Sequence, residues 1–239
     1  LAPLSQVANL LVSYDHAEAT LKSLDEVMAL PVERMPDKRY LHRPVFDGDM
    51  CLKQVTFSYV DQPTPALENI NLNISAGEKV AVIGRIGSGK STLAKMLIRL
   101  YDPINGSVLI DGFDAQQLDP ADLRRNVGYV AQNEQLFFGT VRENITYGLS
   151  NISDAEVVDA AEKSGILGFV NSHPLGFDMH VGERGETLSG GQRSAIAMAR
   201  VFLRKPRVLI MDEPTSAMDQ GTEEQMRKQL KTEFSDSTI

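Results

Sequence analysis

Gly84-Arg85-Ile86-Gly87-Ser88-Gly89-Lys90-Ser91 constrains this chain more than any other stretch. The apolar run Lys79-Val80-Ala81-Val82-Ile83 precedes it, and a segment with helical character, Ser91 to Leu100, follows. A glycine-rich turn between strand and helix with the spacing G-x-x-x-x-G-K-S is that of a loop whose backbone N–H groups cradle phosphates. Gly84, Gly87 and Gly89 let the backbone approach one anion closely. The helix start near Ser91 aims its positive end at the same place. Lys90 supplies a mobile point charge for the outer phosphates, and the Ser91 hydroxyl is placed to bind Mg²⁺. Residues Gly84, Arg85, Ile86, Gly87, Ser88, Gly89, Lys90, Ser91 and Thr92 are therefore the predicted phosphate contacts. An ordinary glycine-rich turn would not need Lys followed by Ser-Thr.

Two later stretches add to this. Val208-Leu209-Ile210-Met211 is a short apolar strand that ends in Asp212-Glu213. Adjacent residues at a strand end point to different sides, so two carboxylates there can divide labour. Asp212 can hold Mg²⁺ through water, and Glu213 can polarise an attacking water. The plainer reading of Glu213 is a helix-capping or solvated acid. Leu188-Ser189-Gly190-Gly191-Gln192 comes before Asp212 and opens a helix that runs to about Leu203.

Composition removes some classes. The formal charge of -8 is a poor basis for nucleic-acid binding, which needs a basic stripe to displace counterions. Cys51 is the only cysteine, so no internal disulfide forms; this suits a reducing compartment, and Cys51 reads as a small strand hydrophobe. No run of ~18 apolar residues occurs, and the first residues lack the basic flank of a signal peptide.

Residues 4 to 28 read as one amphipathic helix, with Leu4, Val7, Leu11, Tyr14, Ala17, Leu21, Leu24 and Met28 at spacings of three and four, ended by Pro31. Residues 31 to 48 carry Pro31, Pro36 and Pro44 and read as an extended linker. Strands are expected at 52–57, 66–74, 79–83, 107–110, 127–130 and 208–211. Helices are expected at 91–100, within 140–170, at 190–203 and at 223–234. Ser153 and Glu156 have the spacing of a capping box.

The order phosphate loop, L-S-G-G-Q, apolar strand ending Asp-Glu resembles the ATP-binding cassette (ABC) family, the motor domains of ABC transporters. The resemblance implies an α/β fold: a P-loop NTPase cassette with a RecA-like core, an antiparallel β-subdomain near residues 50 to 80 and a helical subdomain near 135 to 190. It implies three parts: 1–31 as the cytosolic extension of a membrane helix, 32–49 as linker and 50–239 as nucleotide-binding domain. The alternative for the first segment is a helix docked on its own domain.

By the same resemblance, Gln132 is the glutamine that reaches Mg²⁺ and water, so that Ser91, Gln132 and Asp212 form the metal set. Glu213, Gln132 and Lys90 form the catalytic set. Tyr59 is the aromatic that stacks on adenine, and Asp219 shapes the interface between two cassettes. Ser189, Gly190, Gly191 and Gln192 contact ATP held by a second copy of the chain. Val181 to Glu186 resembles the exporter segment that touches the membrane domain. The family's histidine at the γ-phosphate has no counterpart among His16, His42, His173 and His180, all of which precede the signature. Residues 1 to 239 are therefore expected to bind ATP but to hydrolyse it poorly.

The implied ligands are ATP and Mg²⁺. The implied partners are a second cassette, a transmembrane domain and, for a type I secretion exporter, a periplasmic adaptor and outer-membrane channel. The implied place is the cytoplasmic face of a bacterial inner membrane. Export of a protein or peptide is the leading cargo reading, with lipid, drug or peptide exporters as alternatives. Soluble ABC ATPases of chromosomes or translation fit less well: no long coiled coil separates the motifs, there is one cassette, and the charge is acidic. A regulatory cassette that no longer hydrolyses conflicts with the presence of Lys90, Gln132 and Glu213.

Overall fold

The computed structural model describes residues 2–30, 32–60 and 62–239, and the chain divides into two compact units, 1–39 and 40–239. In the first, α1 (Ala2–Met28) is one continuous helix. Leu11, Tyr14, Leu21, Leu24 and Met28 on the expected stripe are all exposed. Leu1, Pro31 and the side chains of Leu4 and Val7, which the helix reading used, lie outside the described residues.

The second unit begins inside the stretch read as a linker. Leu41 forms a parallel bridge with Leu118, and Phe46 is buried. The Arg43 backbone N–H donates to Asp122, and its guanidinium pairs with Asp111 at 3.1 Å. Residues 40–49 are thus built into the larger body; the prolines set an extended path, and side-chain anchors dock it.

Four strands form an antiparallel sheet in the order β2 (Leu67–Ile74), β1 (Met50–Phe57), β3 (Asn105–Ile110), β4 (Phe113–Asp114). This sheet extends well past residue 80, since β1 pairs with β3 on its second edge. Its inner face (Met50, Leu52, Val55, Phe57, Val108, Ile110) packs with Met96 and Leu97 of α2 (Lys90–Leu97) and Leu123 of α3 (Pro120–Asn126). Each such fully buried side chain contributes roughly 1.5–3 kcal/mol.

The second core belongs to the helices. α4 (Val141–Ile145) and α5 (Asp154–Ser164) pack on α7 (Gly190–Arg204), and α6 (Leu167–Ser172) and α8 (Gln220–Glu233) pack on α5. Ile145, Val157, Ala161, Ile196 and Met198 are fully buried there. The capping box at α5 forms as expected: Ser153 Oγ accepts from Glu156 N at 3.4 Å, and Glu156 Oε2 accepts from Ser153 N at 2.8 Å. Ser153→Ala is expected to lower stability by about 0.5–2 kcal/mol, measured as a shift in denaturant midpoint.

Parallel strands β5 (Val127–Val130) and β6 (Val208–Met211) pair in register from Val127↔Val208 to Val130↔Met211. On the other edge of β6, Thr238 bridges Val208, and Ile239 exchanges backbone bonds with Glu78 and Val80 at 2.9 and 2.8 Å. Lys79 Nζ ties this corner by donating to the carbonyls of Gly77, Ser235 and Ser237. The buried strand expected over Lys79 to Ile83 does not form. Pairing with Ile239 stops at Val80, and Ile83 is 92% exposed. An apolar run becomes a strand only where a neighbour completes its backbone hydrogen bonds.

Candidate functional site

The turn from Gly84 to Gly89 delivers its backbone to the start of α2. Gly89, at φ +88°, caps that helix in the left-handed region, and a side chain there would meet the Ala66 carbonyl at 2.6 Å. Glycine alone meets both demands. Lys90 Nζ donates to the carbonyls of Gly84 and Arg85, both at 3.0 Å, so the charge is folded back over its own loop. An ammonium held by two neutral carbonyls keeps its full charge for an anion that replaces them. Arg85 and Ile86 are exposed at the rim.

Tyr59 stands beside this loop. Its hydroxyl shares a 3.0 Å hydrogen bond with Thr92 Oγ1, and its ring meets Phe57 and Tyr101 edge-on at 5.1 and 5.5 Å. Tyr59, Gln62, Thr64, Gly87, Ser91 and Thr92 border an open cleft of about 410 Å³. Tyr101, from the segment after α2, escaped the sequence reading; no local pattern links it to Tyr59.

A second cleft, of about 350 Å³, is bordered by Lys90, Asp212 and Glu213 together with Val82, Leu93 and Ile210. The phosphate-loop lysine and the two carboxylates of the strand end are thus brought together from positions more than a hundred residues apart. Asp212 stays in the β ladder, its N–H donating to Val130 O at 2.9 Å. Glu213 leaves it: φ is +51°, a strained conformation for a residue with a side chain. That turn carries its carboxylate to Gln132, whose Nε2 donates to Glu213 Oε2 at 2.8 Å. The amide oxygen of Gln132 is then the end able to accept or to ligate. A hydroxyl, a carboxylate and an amide carbonyl on Ser91, Asp212 and Gln132 are all hard oxygen donors, a set that suits Mg²⁺.

Signature residues lie elsewhere. Ser189, Gly191 and Gln192 border another cleft, with Ala217, Met218 and Asp219. Ser189 caps α7: its Oγ accepts from Gln192 N at 3.2 Å, and Gln192 Oε1 accepts from Ser189 N at 2.9 Å. The Ser-x-x-Gln spacing of this capping box was readable in the sequence. Gly191 has a packing role as well, since a Cβ there would sit 2.7 Å from the Ala217 carbonyl. Asp219 caps α8 by accepting from the N–H and hydroxyl of Thr222 at 3.0 and 2.7 Å. Those bonds, the hydroxyl's foremost, hold its carboxyl below the ordinary range. Glu183, Arg184 and Glu186 of the segment before the signature are exposed on a short 3₁₀ turn.

Against this geometry, the family model for ABC transporters matches residues 67–216. The chain belongs to the ABC transporter family. Among curated relatives of this cassette are an ATP-dependent lipid A-core flippase of Photobacterium profundum, 38% identical over all of the chain and 41% of the relative. The leukotoxin translocation ATP-binding protein LktB of Mannheimia glucosida is 40% identical over 93% of the chain and 31% of the relative. The alpha-hemolysin translocation ATP-binding protein HlyB of Escherichia coli O157:H7 is 39% identical over 96% and 32%. A bacterial Atm1-family ABC exporter with ATP bound superposes with a TM-score of 0.84, at 34% identity over 94% of this chain and 39% of that one. The ABC chain thus spans about two fifths or less of the relatives it matches. Membership confirms the α/β cassette fold and makes the chain an ATP-binding cassette of the ABC ATPase family.

Proposed function

We infer that this cassette is the nucleotide-driven motor of an ABC exporter. The convergence of Lys90, Asp212, Glu213 and Gln132 on one side of the phosphate loop carries that reading. When bound, Mg²⁺ would neutralise charge on the outer phosphates of ATP, with Ser91, Gln132 and Asp212 as its holders. The chain's own residues do the rest. Backbone N–H groups from Gly84 to Thr92 and the positive end of α2 bind phosphate oxygens. Lys90 exchanges its two carbonyl partners for phosphate. Glu213 accepts a proton from the attacking water, and Gln132, already bonded to it, holds that carboxylate in place. Tyr59, backed by Phe57 and Tyr101, offers a ring face for adenine, worth roughly 1–3 kcal/mol.

The signature cleft is separate from the phosphate cleft. That separation supports closure over the nucleotide of a second copy, with Ser189, Gly190, Gly191 and Gln192 at the positive end of α7 and Asp219 at the seam. The exporter relatives support a membrane domain as partner and the cytoplasmic face of a membrane as the place of work. Relatives named for lipid flipping and for toxin translocation match at 38–40% identity alike. We propose a protein or peptide as the exported cargo; a periplasmic adaptor and an outer-membrane channel belong with that cargo alone.

Lys90→Ala is expected to weaken Mg-ATP binding by well over tenfold, more than about 1.4 kcal/mol, in titration calorimetry. An unchanged affinity would remove the phosphate loop from the site.

A further inference from the structure

The segment that carries Gln132 has no secondary structure of its own. From Ala131 to Gly139 it runs irregularly between β5 and α4, and Gln132 is exposed on it. Side chains hold it at two points. At the start, Glu134 Oε1 accepts from Ala131 N at 2.5 Å. At the far end, Asn144 of α4 grips one residue by both backbone groups. Its Oδ1 accepts from Phe137 N at 2.9 Å, and its Nδ2 donates to Phe137 O at 2.9 Å. The amide thus pairs with Phe137 as a neighbouring strand would. Nδ2 also donates to Thr140 O at 2.9 Å, and Asn144 is 1% exposed.

Arg200 determines how that amide faces. It projects from α7, ten residues beyond Gly190, and donates from Nε to Asn144 O at 2.6 Å and from Nη2 to Asn144 Oδ1 at 2.8 Å. A guanidinium only donates, so the amide oxygen must turn toward it and the amide nitrogen toward the Phe137 and Thr140 carbonyls. The guanidinium carbon also lies 5.7 Å from the centre of the Phe137 ring. One turn further along α7, Arg204 Nη2 donates to Tyr147 O at 2.6 Å, and the Tyr147 ring stacks on Phe137 at 4.0 Å. Burial raises the Glu134 carboxyl above its ordinary range, while the Ala131 N–H and the Arg200 charge act against that rise. The start of the segment therefore also feels α7.

We propose that Arg200 and Asn144 are positioning residues that lock the Gln132 segment to the signature helix, so that Gln132 reaches Glu213 only in a fixed relation to Ser189 and Gly190. Neither residue touches the nucleotide site; both act through Phe137. Hydrogen bonds run from α7 through Arg200 and Asn144 to Phe137, and the chain from Phe137 back to residue 132 completes the path from residues 189–191. A rigid path of that kind passes a displacement of α7 at the signature on to Gln132. The inference rests on the ATPase reading above, but its physical core, the lock itself, does not.

Two mild variants test it in the full chain. Arg200→Lys keeps the positive charge near Glu134 and removes the fork. Asn144→Asp keeps the acceptor for Phe137 N and removes both donors. In each, amide hydrogen exchange is expected to rise across residues 131–138 and to stay unchanged in β1 and α2. Mg-ATP affinity by calorimetry is expected to hold, while kcat falls by up to about 10²-fold at a nearly constant KM, the size of effect expected from a misplacement of about 1 Å. Unchanged exchange at 131–138 in both variants would overturn the lock. Faster exchange with an unaltered kcat would overturn the positioning role. Exchange rising equally throughout the chain would reduce both residues to general packing and would also overturn it. Absence of Mg-ATP binding by the unaltered chain would count against the ATPase reading alone, and the exchange comparison would then decide the lock by itself. If one variant fails to fold, the other carries the same outcomes.

Discussion

Glu213→Gln is expected to leave Mg-ATP binding intact and to lower turnover about 10²–10⁴-fold, the usual contribution of a positioned base. The substitution keeps shape and the chance of a hydrogen bond with Gln132 but removes the proton acceptor. Glu213 leaves the β6 ladder with φ +51°, a conformation that costs energy, and its carboxylate accepts from Gln132 Nε2 at 2.8 Å. With binding kept and water activation lost, an ATP-bound two-copy complex should accumulate, visible as a doubled mass in size-exclusion with light scattering. Turnover at the level of the unaltered chain would remove Glu213 from the catalytic role and return it to the plainer reading of a surface acid.

Leu209→Ala is expected to lower stability by about 2–5 kcal/mol, a large part of the 5–15 kcal/mol that holds an ordinary domain together. Leu209 is fully buried in the middle of β6, and its backbone N–H donates to Thr238 O at 2.8 Å. Its side chain belongs to the helical core, while its neighbour Val208 belongs to the core under the antiparallel sheet. Truncation leaves a cavity where the two cores meet, directly behind Asp212 and Glu213. Thermal unfolding should show the loss, and nucleotide affinity measured well below the transition should change far less. A melting temperature within a degree or two of the unaltered chain would mean that β6 is not the structural centre described here.

Much of this architecture was legible beforehand because it is local. The capping box at Ser153 and Glu156, the strand from Val127 to Val130 and the strand from Val208 to Met211 arise from neighbouring residues, and each appears where the spacing placed it. The phosphate loop is local too: two glycines at positive φ and a lysine on the first turn of a helix are enough to build it. Other elements went astray where a partner was needed. Lys79 to Ile83 has the apolar run of a buried strand, yet only Glu78 and Val80 find a backbone neighbour, and Ile83 faces solvent. Residues 40–49 read as a linker because prolines and charges dominate them; Asp111 and Asp122, more than sixty residues away, dock that stretch.

The candidate site divides along the same line. By itself the sequence determined which chemical groups exist: a lysine in a phosphate turn, paired carboxylates at a strand end, a signature at a helix start. Those identities depend on short spacings, and short spacings fix backbone geometry through a few dihedral angles and hydrogen bonds. Only the tertiary structure decided which groups meet. It brought Gln132 to Glu213 across 81 residues, set Lys90 beside both carboxylates, kept the signature in a cleft of its own, and placed Arg200 on Asn144 across 56 residues. Such meetings are produced by the packing of β6 between two cores and of α7 within the helical one, a sum of many weak apolar contacts that no single stretch of residues records.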